Sequence, residues 1–227
     1  VKRHQHEGET VLVLGSGPSV NDFNVDDLHR FTTIGANQIS RRLDPDYVTL
    51  FDPPHQMGEG IPYAMRSLEK SKVFVSNKYT PQWSTQLPKP FREKQDITEV
   101  NFNPRGEWAR WDRMHYTPVI ESWDDTEDIE DIPYGPTSIA IGVWIAAFAG
   151  AARVGLIGVD LGTEYFFPSI VPFATKPNLT RQANIQWGQL HRMVEMLTPT
   201  RVFNLSERSL VDSIPRANLT EWLLEQE

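Results

Sequence analysis

The residues whose types suit chemistry fall into short groups: Gly15-Ser16-Gly17-Pro18-Ser19, Asn37, Asp52, Thr137-Ser138 and Asp160. Gly15 and Gly17 permit a tight turn and close backbone approach, and Pro18 fits the first turn of a helix, where its missing N–H needs no partner. A strand, turn and helix in that order leave amides at the strand's carboxyl end, where phosphate is favoured. The plainer reading is that the two glycines only shape a turn. Asn37 and Asp52 suit a base or ribose hydroxyls, and Thr137-Ser138 suits the start of a helix facing an anion. Against these stand structural roles: Asp52 as a strand-end cap, Asp160 bonded to the turn beside it. Arg208, with Arg181 and Arg110, is an available cation; Arg208 follows a strand end. His115 and His191 are available bases, although a lone histidine is more often structural.

The elements that must position these groups read clearly over much of the chain. Thr10 to Leu14 is a short, bounded apolar run with β-branched residues, which marks a strand buried on both faces. Thr32 to Ala36, Tyr47 to Phe51, Lys72 to Ser76, Arg153 to Val159 and Thr200 to Leu205 read as further strands. Asn37, Asp52 and Asp160 each follow one of them. Asn24 caps a short helix through Leu28, Ile61 to Lys70 suits a helix, Ile139 to Ala149 is a helix apolar on nearly every side, and Ala183 to Leu197 is amphipathic. Leu219 to Glu225 closes the chain. Strands alternating with helices give an α/β, Rossmann-like, doubly wound and mostly parallel sheet. Residues 1–9 are polar and expected to fray.

From Tyr79 to Pro133 the pattern fails. Prolines and aromatics, among them Trp83, Trp108, Trp111, Tyr116 and Trp123, follow neither period. We read residues 79–133 as an irregular, lid-like insertion within a single α/β nucleotide-binding domain spanning 1–227, either a lid or an acceptor-binding wall, with a satellite apolar cluster as the plainer reading. The acids from Glu121 to Asp131 read as a solvated face, since their spacing fixes no coordination cage.

Composition narrows the classes. The 227 residues are 39% hydrophobic, enough for a full core, and the net charge of -8 argues against nucleic acid or anionic membrane as a partner. The absence of cysteine excludes disulfides, thiolate metal sites and thiol nucleophiles. No apolar stretch is long enough to span a bilayer and no signal segment opens the sequence, so a cytoplasmic location is expected.

Two related families carry these same motifs. The Gly15-Ser16-Gly17-Pro18-Ser19 turn, Ala36-Asn37-Gln38, Asp52-Pro53, Thr137-Ser138 and Gly158-Val159-Asp160 resemble segments of the bacterial sialyltransferases of the Campylobacter type. The turn, the strand-end aspartate and Gly158-Val159-Asp160-Leu161 are more similar still to the 6-hydroxymethylpterin diphosphokinase-like domain, which also occurs in motility accessory factors. The likeness runs from about Val11 to Asp52 and from Tyr134 to Asp160, with a weaker echo at Asn204 to Leu210, and leaves the middle insertion outside. The first resemblance implies a CMP-sugar held without metal by the turn, the strand-end residues and the Thr-Ser pair, with tyrosines assisting the leaving phosphate and a downstream histidine as base. Ser16 and Asp52 replace two of the family's asparagines. Tyr165 stands for one tyrosine, Gly162 lies where the other belongs, and no histidine occurs around Asn178 to Arg181. The second resemblance implies ATP phosphates on the turn with Mg2+ at Asp52 and Asp160.

We therefore expect a nucleotide-dependent transferase, foremost a glycosyltransferase with a CMP-sugar-like donor and a glycan acceptor. The alternatives are an ATP- and Mg2+-dependent pyrophosphokinase acting on a pterin-like acceptor, and a non-catalytic nucleotide-binding module. The expected nucleotide-binding residues are Gly15, Ser16, Gly17, Pro18, Ser19, Asn37, Asp52, Thr137, Ser138 and Asp160, and the expected catalytic groups are His115, Tyr165 and Arg208.

Overall fold

The computed structural model describes residues 1–52, 54–76, 80–86, 97–102, 129, 131–132, 137–162, 166 and 177–225. Eight strands form one sheet: β1 (Thr10–Leu14), β2 (Thr32–Ala36), β3 (Tyr47–Leu50), β4 (Lys72–Ser76), β5 (Ile97–Phe102), β6 (Asp131–Ile132), β7 (Arg153–Ile157) and β8 (Arg201–Asn204). Their order is β6-β5-β4-β3-β2-β1-β7-β8, and every pairing is parallel.

The side-chain period of two explains how one strand feeds two cores. Val11 and Val13 of β1 join Ile34 and Trp144 in the cluster on one face, while Leu12 and Leu14 join Val48, Leu50 and Trp222 on the other. The first face is covered by α5 (Ser138–Phe148) and α6 (Pro177–Leu197), the second by α3 (Ile61–Lys70) and α7 (Leu219–Leu224). Helix α5 is buried at every position from Ala140 to Phe148, which a helix apolar all round requires. It lies between the sheet and the Trp187, Leu190 and Val194 stripe of α6. Gly150 stops it at φ +85, a left-handed position that costs glycine little.

From β1 the chain steps outward through β2 to β6, then returns to lay β7 on the other side of β1. The strand order thus reverses between β1 and β7, and the crevice at the carboxyl edge beside that reversal is the usual ligand position in open α/β sheets.

Three expectations are revised. Residues 1–9 do not fray: His6 bridges the Tyr47 hydroxyl and the Glu9 carboxylate, both at 2.8 Å, and its amide donates to Ala149 O at 2.7 Å. Helix α6 begins at Pro177 rather than Ala183, because its first turn lacks apolar periodicity and shows itself only by the proline at its start. Within 79–133 the described residues form a helix, α4 (Thr80–Gln86), and two strands of the sheet, β5 and β6; Trp83, Val100 and Ile129 are core residues. The segment is therefore sheet at both its described strands. Its polar and proline-rich joints hid them. The rest of 79–133, with His115 and Arg110, lies outside the described residues.

Candidate functional site

Four strand ends and one helix start meet at the crevice. A cavity of about 330 Å3 opens there, within the range of small-ligand pockets. Ser16 and Gly17 line it from β1, Asn37 from β2, and Asp52 from β3. Thr137 and Ser138 line it from α5, and Asp160 from the segment after β7. These are seven of the ten residues expected from sequence to hold a nucleotide. Gly15, Pro18 and Ser19 are not among its lining.

The opening turn is built differently from a phosphate cradle. Gly15 N donates to Ile157 O at 2.7 Å, and Gly17 N to Gly158 O at 2.8 Å. Ser19 N donates to Asp160 Oδ2 at 2.8 Å, and Ser19 Oγ to Asp160 Oδ1 at 2.5 Å. With Pro18 lacking an N–H, Ser16 alone in the turn has an amide with no acceptor among the described residues. Ser19 is fully buried, its hydroxyl 2.8 Å from that of Ser206, and both hydroxyls accept from Gly158 N. Asp160 thus serves mainly as a clasp between the loops after β1, β7 and β8, the structural role left open by the sequence. Gly17 is glycine for the same reason: a Cβ there would meet Asp160 and, at 2.7 Å, Gly158 O.

The opposite wall has spare hydrogen-bonding capacity. Asn37 takes φ +49, a left-handed conformation that asparagine tolerates better than most residues. Its Nδ2 donates to Asp52 Oδ2 and, more weakly at 3.4 Å, to Ser138 Oγ. The Asn37 Oδ1 and Thr137 Oγ1 atoms are buried with no hydrogen-bond partner among the described residues. Thr137 is the N-cap residue of α5 yet makes no capping bond. Buried polar atoms without a partner also occur away from the cavity, as at Gln186, but here two of them face the same lining and leave acceptor and donor capacity that a polar ligand could use. Thr49 Oγ1 holds this wall from below, reaching Gly35 O at 3.3 Å and Ser138 O at 3.4 Å. Ile139, Val159 and Leu161 supply apolar lining that was not among the expected binding residues, although Val159 and Leu161 flank Asp160 in the Gly158-Val159-Asp160-Leu161 segment. Their positions just past Ser138 and the end of β7 were the available signal.

Burial pushes the Asp52 carboxyl above its ordinary value, and the hydrogen bond from Asn37 offsets part of that rise. A raised folded-state value means the native protein holds the proton to higher pH than the unfolded chain. The associated stability is present below the unfolded value and lost as pH rises through the folded one. Asp52→Asn should therefore raise the melting temperature near neutral pH, and the gain should shrink as pH falls through the aspartate range. Thermal unfolding of both proteins across pH checks this; a variant less stable than the parent at neutral pH would show Asp52 to be a structural cap.

The remaining expected residues lie elsewhere. Arg208 is exposed and paired with Asp22 at 3.2 Å, so it does not reach the cavity lining. Tyr165 and His115 lie outside the described residues. His191 sits on α6 beside Glu195 at 3.3 Å. For a divalent ion, both oxygens of Asp160 are committed to Ser19 and one of Asp52 to Asn37. No group of three His, Cys, Asp or Glu side chains converges among the described residues, so this donor set does not fit resident Mg2+.

No family model and no curated protein matches the chain. Solved structures do. All of the chain superposes on the MAf glycosyltransferase of Magnetospirillum magneticum AMB-1, with a TM-score of 0.61 and 16% identity, and it spans 38% of that protein's length. The sialyltransferase CST-II in complex with a trisaccharide acceptor and CMP aligns over 93% of this chain and 87% of its own, at TM-score 0.54 and 14% identity. CstII from Campylobacter jejuni in complex with cytidine-5'-monophosphate gives 0.53 and 16%, over 94% of this chain and 86% of its own. At such identities the likeness is one of architecture: this chain has the α/β, Rossmann-like fold that these glycosyltransferases share.

Proposed function

We propose that the chain is the donor-binding part of a glycosyltransferase and holds a nucleotide sugar, CMP-sugar-like, in the crevice between β1 and β7. The observation that carries this reading is the orphaned wall. Asn37 Oδ1 and Thr137 Oγ1, buried without partners, stand with Asp52 and Ser138 around a cavity at the strand-order reversal. A polar ligand with several hydroxyl and amide groups satisfies such a set. The architecture supports it, since two of the similar structures were solved with CMP bound.

In this reading the donor's anomeric carbon parts from the phosphate oxygen and bonds to an acceptor hydroxyl, whose proton passes to a base. The phosphate charge would be met by the Ser16 amide and the first turn of α5, an 11-residue helix whose N-terminal N–H groups favour an anion. Catalysis is then mostly positioning and charge stabilisation. His115 as base and Tyr165 as partner of the departing phosphate remain part of the proposal.

CMP should raise the melting temperature in the presence of a chelator, and Asn37→Ala should weaken CMP binding about tenfold through loss of the residue at the centre of the wall. Isothermal titration reads the affinity. Stabilisation by Mg2+-ATP and not by CMP would favour the pyrophosphokinase instead, and tight CMP binding with no turnover of any CMP-sugar would leave a binding module.

A further inference from the structure

The orphaned wall also has a sign. Asp52 is a carboxylate in a position where an amide would both donate and accept, and an ionised carboxylate can only accept. Its Oδ2 takes the N–H of Asn37, so the Asn37 amide is turned with Nδ2 towards Asp52 and Ser138. The other limb of that amide, Oδ1, is then an acceptor as well, and it is the atom left without a partner. No Lys, Arg or His occurs among the described residues lining the cavity, so no side-chain cation there offsets the two carboxylates, and the anion-favouring N–H groups lie at Ser16 and the start of α5. Such a surface gains from N–H and O–H donors and repels phosphate oxygens.

We propose that Asp52 is a specificity residue: by accepting from Asn37 it makes that side of the cavity an acceptor-only wall, which selects the donor-bearing nucleoside part of the ligand and excludes its phosphate. The nucleoside, through ribose hydroxyls or an exocyclic amine, lies against Asn37 and Asp52. The phosphate is left to the Ser16 side and the start of α5. This inference deepens the nucleotide-sugar reading and rests on it for the identity of the ligand, but the polarity of the wall can be tested apart from it.

The test compares the parent protein with Asp52→Asn by titration calorimetry against CMP, UMP, deoxycytidine and dideoxycytidine monophosphates, and inorganic pyrophosphate. In the parent, at least one nucleotide lacking a donor should bind about tenfold more weakly than CMP, the size expected for a hydrogen bond to a charged group. In Asp52→Asn that gap should fall to roughly threefold or less, because the new amide can turn, and pyrophosphate should bind several-fold more tightly. Identical rankings in the two proteins, or unchanged pyrophosphate affinity, would overturn the acceptor wall while leaving CMP binding in place. Pyrophosphate binding that strengthens in the variant, with no nucleotide bound by the parent, would keep the wall and remove the nucleotide reading. If neither protein binds any probe, both ideas fall.

Discussion

An Asp160→Ala protein should lose about 2–5 kcal/mol of stability, because a buried amide is stranded and a buried hydroxyl loses its charged acceptor at the same time. Ser19 N and Ser19 Oγ both end on this carboxylate; without it the hydroxyl keeps only the neutral Ser206 Oγ at 2.8 Å as an acceptor. For a chain of this size that loss lowers the midpoint of thermal unfolding on the order of 10 °C. The damage would spread, since the same knot ties the loop after β8 through Ser206, and Leu210 N donates to Asp160 O at 3.0 Å. Asp160→Asn should cost less, retaining one acceptor for Ser19. Urea unfolding of the two variants beside the parent measures the difference. A loss under about 1 kcal/mol together with abolished CMP binding would instead make Asp160 a ligand group. The clasp also changes how the glycine turn is tested. Gly17→Val would bring a side chain against Asp160 and Gly158, so its first effect is on folding, and a defect in ligand affinity could not be ascribed to phosphate contacts.

The clasp and the wall show which parts of the site a sequence discloses. Strand ends were legible because a parallel strand buried on both faces leaves a bounded apolar run, and β1, β2, β3 and β7 all have one. That placed Asn37, Asp52 and Asp160 at one edge of the sheet, where the structure has them. What the pattern could not tell was which polar atoms are already spent. Asp160 and Asp52 have the same strand-end context in the sequence, yet Ser19 engages both oxygens of one, while Asn37 engages a single oxygen of the other. That distinction depends on contacts 141 and 15 residues apart in sequence, beyond any local signal. Arg208 was expected at the crevice from its position after β8, and the structure has it at the surface instead: the turn at 206–209 is held by Arg216, whose guanidinium donates to Ser206 O at 2.8 Å and Ser209 O at 2.6 Å. Arg208 points instead to Asp22. The strands β5 and β6 were missed because six- and two-residue elements with polar members leave too little pattern against their surroundings.

The second large effect lies beneath the wall. Trp144→Ala should cost about 3–5 kcal/mol, the usual range for removing a large aromatic side chain from a close-packed core. Trp144 is 0% exposed and belongs to the cluster that joins the sheet to α6 through Val13, Ile34, Trp187 and Leu190. Its helix cannot settle into the vacated space as a rigid unit, for two reasons. Gly142 already lets α5 approach β1 so closely that a Cβ there would meet Val13 Cγ1 at 2.9 Å, so there is no slack on the sheet side. On the other side α6 is held by its own buried stripe. A cavity lined by apolar groups therefore remains, and its size sets the loss. The same helix carries Thr137 and Ser138 at its start, which couples core to site. If α5 keeps its place, CMP should still raise the variant's melting temperature by as much as the parent's at saturating ligand. If the helix shifts, that increment should shrink along with the baseline. Thermal unfolding of Trp144→Ala with and without CMP separates the two outcomes, and a variant of unchanged stability would mean that α5 is not wedged between sheet and α6 in solution.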